Sequence, residues 1–178
     1  ALEPIRQQFG LKQVIVSTYQ AASGAGQSAW QELLDQAQQH LNGEPETAEI
    51  LPVKGDKKHY PLAFNLLPQI DVFEDEGYTH EEYKMIHETK KIMLGDKNAK
   101  DIKVTATAVR VPVPVGHGET VYFEVADADG ASTPKIQQAL SEAPGVVLED
   151  DPANQIYPQP INAEGKRDTF VGRVRPDL

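Results

Sequence analysis

The stretch Val104-Thr-Ala-Thr-Ala-Val-Arg-Val-Pro-Val-Pro-Val-Gly-His-Gly-Glu-Thr-Val-Tyr-Phe-Glu124 decides the fold class. Thr105 and Thr107 alternate with Val104, Ala106 and Ala108, the period-two pattern of a half-buried strand. Val109, Val111, Val113 and Val115 extend the β-favouring run, so a strand is expected over 102–115 and a second over 119–126. Pro112 and Pro114 remove backbone donors, which puts that strand at a sheet edge or ends it there. Gly116 and Gly118 let the chain turn and leave His117 at the tip. Arg110 offers a planar fork of donors suited to a carboxylate or phosphate, and His117 moves a proton near neutral pH. These residues alone leave two readings open: an anionic ligand beside an acid/base, or an edge strand with a surface ion pair and a turn histidine.

Working outward, 12–20 reads as a strand, and Ala21-Ala-Ser-Gly-Ala-Gly26 as a small-residue turn. A helix is expected over about 27–40, with Trp30, Leu33, Leu34, Ala37 and Leu41 on one face. Residues 43–79 lack a long period and are expected as extended loops with a short strand near 69–73, wrapping something or joining an interface. Thr79 and Glu82 have the spacing of a capping box for a helix over 80–94, closed by Gly95. A helix capped by Ser132 or Thr133 and running to about 143, a strand over 146–148, a polar loop over 149–167 and a strand over 168–174 complete the pattern. Residues 1–9 look like the end of a helix stopped by Gly10. Adjacent strands with interspersed helices imply one α+β domain over 1–178, with a mixed, mostly antiparallel sheet and helices packed on one face.

Composition excludes several functions. The 178 residues carry a formal net charge of −10, which argues against nucleic acid and anionic membranes as partners. No apolar run spans a bilayer and no signal peptide opens the chain. Cysteine is absent, which fits a cytoplasmic protein and removes thiolate metal sites and any cysteine nucleophile of this chain's own. The five histidines are scattered, so no metal site is expected.

Two further groups of residues admit a chemical reading. Glu88 and Lys91, three apart on one helix, are either a solvated ion pair or a carboxylate and a cation side by side for a ligand. Ser23 and Gly24 precede a helix, where free N–H groups either cap the helix or cradle an anion, and Gln20 ends the strand beside them. The acidic clusters Asp150-Asp151 and Asp71 with Glu74–Glu76 lack the alternation of a calcium loop and read as solvated charge.

Taken in order, six segments resemble one family. They are Val16–Gly26, Glu88–Met93, Val109–Val113 with Gly116-His117, Leu148–Asp151, Gln155–Gln159 and Arg167–Arg173. They look like aspartate-semialdehyde dehydrogenase of the Gram-positive type, across essentially the whole chain. The resemblance implies the glyceraldehyde-3-phosphate dehydrogenase-like C-terminal domain, a homodimer, and an N-terminal nucleotide-binding domain that carries NADP and a cysteine nucleophile. It implies conversion of L-aspartyl 4-phosphate to the semialdehyde on the route to lysine, methionine and threonine. His117 matches the acid/base, Arg110 the substrate-carboxylate clamp, Glu88 the partner of the substrate ammonium and Lys91 a phosphate contact. Gln20 matches the substrate-orienting glutamine, and Ser23 and Gly24 the cofactor contact.

The departures are as informative. The family's Asn-Cys-Ser/Thr motif and any GxGxxG nucleotide fingerprint are absent, and the family's final strand and helix lie beyond Leu178. His87 stands where asparagine is expected and Gly118 where serine is usual. The expectation is a domain inactive by itself, with a natural non-catalytic interaction protein as the alternative.

Overall fold

The computed structural model describes residues 1–177. Its elements in chain order are α1 (Leu2–Phe9), β1 (Gln13–Gln20), α2 (Gln27–Leu41), α3 (His80–Leu94), β2 (Lys103–Arg110), β3 (Gly118–Glu124), α4 (Thr133–Ser141), β4 (Val146–Leu148), α5 (Pro160–Ala163) and β5 (Thr169–Val171). Three-residue and four-residue 3-10 turns occupy Ala22–Ala25, Asp75–Gly77 and Pro152–Asn154.

The main sheet has the order β2-β1-β3. Lys103 N–H donates to Lys12 at one end of the β1/β2 pair and Val111 N–H to Gln20 at the other, so these strands run parallel. Lys12 N–H donates to Glu124, and the Tyr19 hydroxyl meets that of Thr120, so β1 and β3 run antiparallel. On the outer edge of β2, Leu67 forms an antiparallel bridge with Arg110. The main sheet is therefore mixed, with antiparallel junctions on both sides of one parallel pair. A separate two-stranded sheet pairs β4 and β5 in parallel.

The chain groups into two compact units. The first comprises Ala1–Ile15, Ala99–Val104 and the segment from Tyr122 onward. Its core joins Ile5 and Phe9 of α1 to Ile136, Ala139 and Leu140 of α4, with Phe123, Val146 and Val171 packed against them. Gly10 ends α1 at φ +69°, and a Cβ there would stand 2.7 Å from that of Ala126, so this crossing needs glycine. Asp150, read from sequence as solvated, instead accepts from the Arg173 and Val174 N–H groups and from Gln137, which ties the C-terminal segment to α4. The order of residues offers no sign of this, because the three donors come from distant positions.

The second unit comprises Val16–Asn98 and Thr105–Val121, and it contains every residue expected to act on a ligand. Here β1 and β2 bury their even-numbered side chains, including Thr18, Gln20, Ala106, Ala108 and Arg110, and expose Tyr19, Thr105 and Thr107. The β2 strand stops at Arg110, short of the expected 115, because the N–H groups missing from Pro112 and Pro114 cannot continue a ladder. The strand expected near 69–73 is absent; this region contributes single bridges at Leu67 and Phe73.

The sequence pattern is half right about the buried face of α2. Leu33 is buried and Ala37 packs against the core as expected, but Trp30, Leu34 and Leu41 are exposed and Ala29 and Gln36 are buried in their place. Gln36 is 1 % exposed; its amide donates to the Thr47 carbonyl and accepts from Leu62 and Ala63 N–H. The long loop thus wraps α2, with Leu51, Leu62, Ala63 and Leu67 completing the core.

Helix α3 begins with the expected capping box: Thr79 accepts from Glu82 N–H, and the Glu82 carboxylate accepts from Thr79 N–H. The second Glu82 oxygen accepts from Ala108 N–H at 2.9 Å. In β2 the even-numbered N–H groups point away from β1, so this buried carboxylate closes an edge donor that would otherwise be unpaired. Glu82→Ala should lower the unfolding free energy by about 3 kcal/mol, since it orphans the Thr79 and Ala108 donors together. Urea denaturation measures this, and a loss comparable to an exposed glutamate would contradict it.

Candidate active site

The site is assembled at the ends of β1 and β2. The hydrogen bond from Val111 N–H to Gln20 sets Gln20 and Arg110 side by side on the buried face. Arg110 is 4 % exposed, and its Nη1 donates to the Ala21 carbonyl at 2.9 Å. Ala21 N–H donates to His117 Nδ1 at 3.1 Å. One residue, Ala21, therefore holds both the guanidinium and the imidazole, through the two peptide groups that flank its Cα. The segment from Val111 to His117, too rich in proline to extend the sheet, reinforces this: Val113 and Pro114 carbonyls accept from Ala22 and Ser23 N–H.

The N–H groups of Ala22, Ser23, Gly24 and Gly26 all donate to backbone carbonyls. Those four donors are therefore not free to hold an anion. What the turn offers instead is space. A Cβ at Gly24 would lie 2.9 Å from Arg110 Nη1 and 3.3 Å from His117 Cε1 and Nε2. The bare Cα is what lets the backbone approach both groups.

Electrostatics follow from this packing. Burial pulls the Arg110 pKa down, and the negative charge of Glu81 opposes that. Among the described residues no carboxylate forms an ion pair with Arg110. Desolvation, then the Arg110 charge, hold the His117 pKa below the ordinary imidazole value, with Glu119 and Glu81 pulling the other way. The donor from Ala21 adds a geometric reason, because it requires an unprotonated Nδ1 and so places the proton of the neutral ring on Nε2. Proton uptake at His117 thus opposes the fold: its contribution is complete above the ordinary pKa and is lost as pH falls through the lowered one.

Glu88 and Lys91 share a face of α3 as expected, but not the Arg110 cluster. They line a hollow of about 250 Å³ with Tyr83, Lys84, His87 and Lys97. His87 stacks on Tyr83 within it. The residue of α3 that reaches the cluster is Glu81, whose Oε1 accepts from Gln20 Nε2 at 3.4 Å. Glu81 was not singled out from sequence. Its signal is the seven-residue spacing to Glu88, two helical turns on nearly one line, with about 10 Å between them along the axis. Among the described residues no group of histidine and carboxylate side chains has metal-binding geometry, and no helix is long and apolar enough to cross a membrane.

A buried arginine without a carboxylate, an imidazole at its side and a glycine holding both open is the arrangement against which relatives can be weighed. The family model for the semialdehyde dehydrogenase dimerisation domain matches residues 2–178. The chain belongs to the semialdehyde dehydrogenase dimerisation-domain family. It is 58 % identical over 178 residues to aspartate-semialdehyde dehydrogenase of Bacillus subtilis, covering 100 % of this chain and 50 % of that protein. Against the Aquifex aeolicus enzyme it is 45 % identical over 177 residues, 99 % of this chain and 48 % of the relative. The crystal structure of aspartate semialdehyde dehydrogenase II of Vibrio cholerae complexed with ASA superposes with a TM-score of 0.85 at 37 % identity, over 99 % of this chain and 48 % of that one. The semialdehyde dehydrogenase fold expected from sequence is therefore present, and the chain spans about half the length of the relatives it matches.

Two measurements probe the cluster. Arg110→Met should raise the His117 pKa, read from its imidazole NMR titration; no upward shift would mean that the guanidinium charge is not felt there. Gly24→Ala should displace the Arg110 and His117 resonances while changing the unfolding free energy by less than about 1 kcal/mol, because Gly24 is exposed and no positive φ is imposed on it.

Proposed function

We propose that this chain is the dimerisation and substrate-binding part of an aspartate-semialdehyde dehydrogenase, a cytoplasmic oxidoreductase that makes L-aspartate 4-semialdehyde from L-aspartyl 4-phosphate. The observation that carries the reading is the buried Arg110 guanidinium with no carboxylate of its own, beside His117 and Gln20. A desolvated cation with spare donors is matched by an anionic ligand group, here the substrate carboxylate. The 58 % identity to a protein of that name supports the choice of substrate.

In this reading Arg110 clamps the carboxylate and Gln20 orients the reacting end of the substrate. Glu88 meets the substrate ammonium and Lys91 the phosphate, from the hollow on α3. In the substrate the ammonium and the carboxylate share one carbon, so this pairing requires Glu88 and Arg110 to lie within reach of the same carbon. His117 holds its transferable proton on Nε2, where it stabilises and then protonates oxygen charge developing at the acyl carbon. The attacking thiol belongs to the nucleotide-binding domain, since this chain has no cysteine. When bound, NADPH supplies the hydride. Ser23 and the exposed, side-chain-free Gly24 are the residues of this chain that fit against it; Gly24 admits close approach to the backbone, and no N–H group of Ala22, Ser23, Gly24 or Gly26 is needed.

The homodimer belongs to the same proposal. The second unit exposes Tyr19, Trp30, Leu34, Phe64 and Leu66, apolar surface that a second copy would cover. Light scattering should give twice the chain mass, and a monomer at micromolar concentration would contradict the dimer.

Mixing this chain with a separately made nucleotide-binding half should yield NADPH oxidation dependent on aspartyl phosphate, with none from either half alone. Activity from this chain alone would refute the two-part site. An inactive mixture of well-folded halves would favour an interaction protein. In the active assembly Arg110→Lys should raise KM for the substrate by at least about tenfold, because an ammonium loses the paired donors.

A further inference from the structure

We propose that Asn42, at the junction of α2 and the long loop, is a spontaneous modification site: its side-chain amide converts to aspartate or isoaspartate through a cyclic imide, and the change unties the loop from the helix. The proposal does not draw on the substrate-binding reading and concerns a different part of the second unit.

The chemistry needs only the next residue and water. The backbone nitrogen of the following residue attacks the asparagine Cγ; a C–N bond forms and the Cγ–Nδ2 bond breaks. Ammonia leaves with the proton of that nitrogen. Water then opens the imide at either carbonyl, giving aspartate or isoaspartate with no redox change. A side chain on the following residue hinders the attack. Of the five asparagines, Asn42 precedes Gly43, whereas Asn65, Asn98, Asn154 and Asn162 precede Leu66, Ala99, Gln155 and Ala163.

The fold leaves this pair reachable. Asn42 and Gly43 are both exposed, and a Cβ at Gly43 would meet nothing within 4 Å. Gln38 Nε2 donates to Asn42 Oδ1 at 2.9 Å, which draws electron density from Cγ. The leaving Nδ2 has only a 3.4 Å bond to Glu44 Oε1, while the amide nitrogens of Asn65 and Asn154 are held at 2.8 Å by the Pro61 carbonyl and at 2.6 Å by Asp151. One bond restrains the attacking atom: Gly43 N–H donates to the His40 carbonyl at 3.0 Å. That bond belongs to the last turn of α2, and helix ends open most readily, so fraying there gates the reaction.

The consequence follows from what is tied across the junction. Glu44 N–H donates to the Gln39 carbonyl and Thr47 N–H to the Gln39 side chain, both at 2.9 Å. His40 meets Glu46 at 2.6 Å. Aspartate would add a negative charge beside Glu44 at the helix C-terminus, the end whose dipole disfavours it. Isoaspartate would also lengthen the main chain by a methylene between α2 and these contacts, which breaks their register.

The test incubates the 178-residue chain at neutral pH and physiological temperature and maps its peptides by fragmentation mass spectrometry. Acid should accumulate at position 42, chiefly as isoaspartate, while the other asparagines stay amides. A synthetic peptide of residues 38–47 should convert faster, and urea should bring the chain toward the peptide's rate, because both remove the His40 bond. An Asn42 that stays an amide in the folded chain while the peptide converts would overturn the proposal, as would equal conversion of the other asparagines. In the converted chain the Glu44 and Thr47 amides should exchange with solvent at least about threefold faster. An Asn42→Gln chain incubated in parallel should keep the slow exchange. Unchanged exchange in the converted chain would overturn the untying of the loop.

Discussion

The backbone of Ala21 is the constraint on which the site depends. Its carbonyl holds the Arg110 guanidinium and its N–H holds the His117 imidazole, so a side chain from the end of β2 and one from the turn before β3 are referred to the two peptide planes that flank one Cα. Ala21 and Ala22 are fully buried, which keeps water from the Arg110 contact and strengthens it. Had the turn carried larger side chains, this backbone would have been pushed from the strand ends. Gly24 performs the same service one step further along, where a methyl group would wedge between cation and ring.

Around Ala21 the second unit pairs buried polar groups of its sheet edge and long loop, while the Thr18 hydroxyl and one Glu32 oxygen have no partner. Glu82 closes the outer edge of β2, and Gln36 closes the backbone of the long loop. Both are polar side chains in apolar surroundings, tolerable because each available oxygen or nitrogen has a partner. Arg110 stands apart as a buried cation, with one protein acceptor for five donors. A protein of net charge −10 has many carboxylates with which it might have paired this cation. The open donors are what support the proposed ligand site, set in a surface whose long-range field is negative.

The relation to the dehydrogenases bears on how the proposed site would work. Relatives of about twice the length share essentially the whole of this chain. In the proposed function the cluster binds, orients and moves a proton, and the cysteine that these 178 residues lack comes from the nucleotide-binding half.

Much of this was legible in the sequence. Alternation at 104–108 gave β2, the run 12–20 gave β1, and Thr79 and Glu82 gave the start of α3, because each of these depends on local sterics and local hydrogen bonds; the expected end of β2 at 115 was five residues late. The ordered segments gave the family. Sequence placed Leu33 and Ala37 of α2 on the core but not the full buried face: Trp30, Leu34 and Leu41 stay exposed, and Gln36 lies inside because a loop 11 to 27 residues away supplies its partners. Nor did it reveal Asp150 as an anchor, the Ala21 backbone as a hub, or Glu81 in place of Glu88 beside Gln20. Those assignments depend on donors and acceptors separated by tens of residues, and a pairing across such distances exists only once the strands are in register.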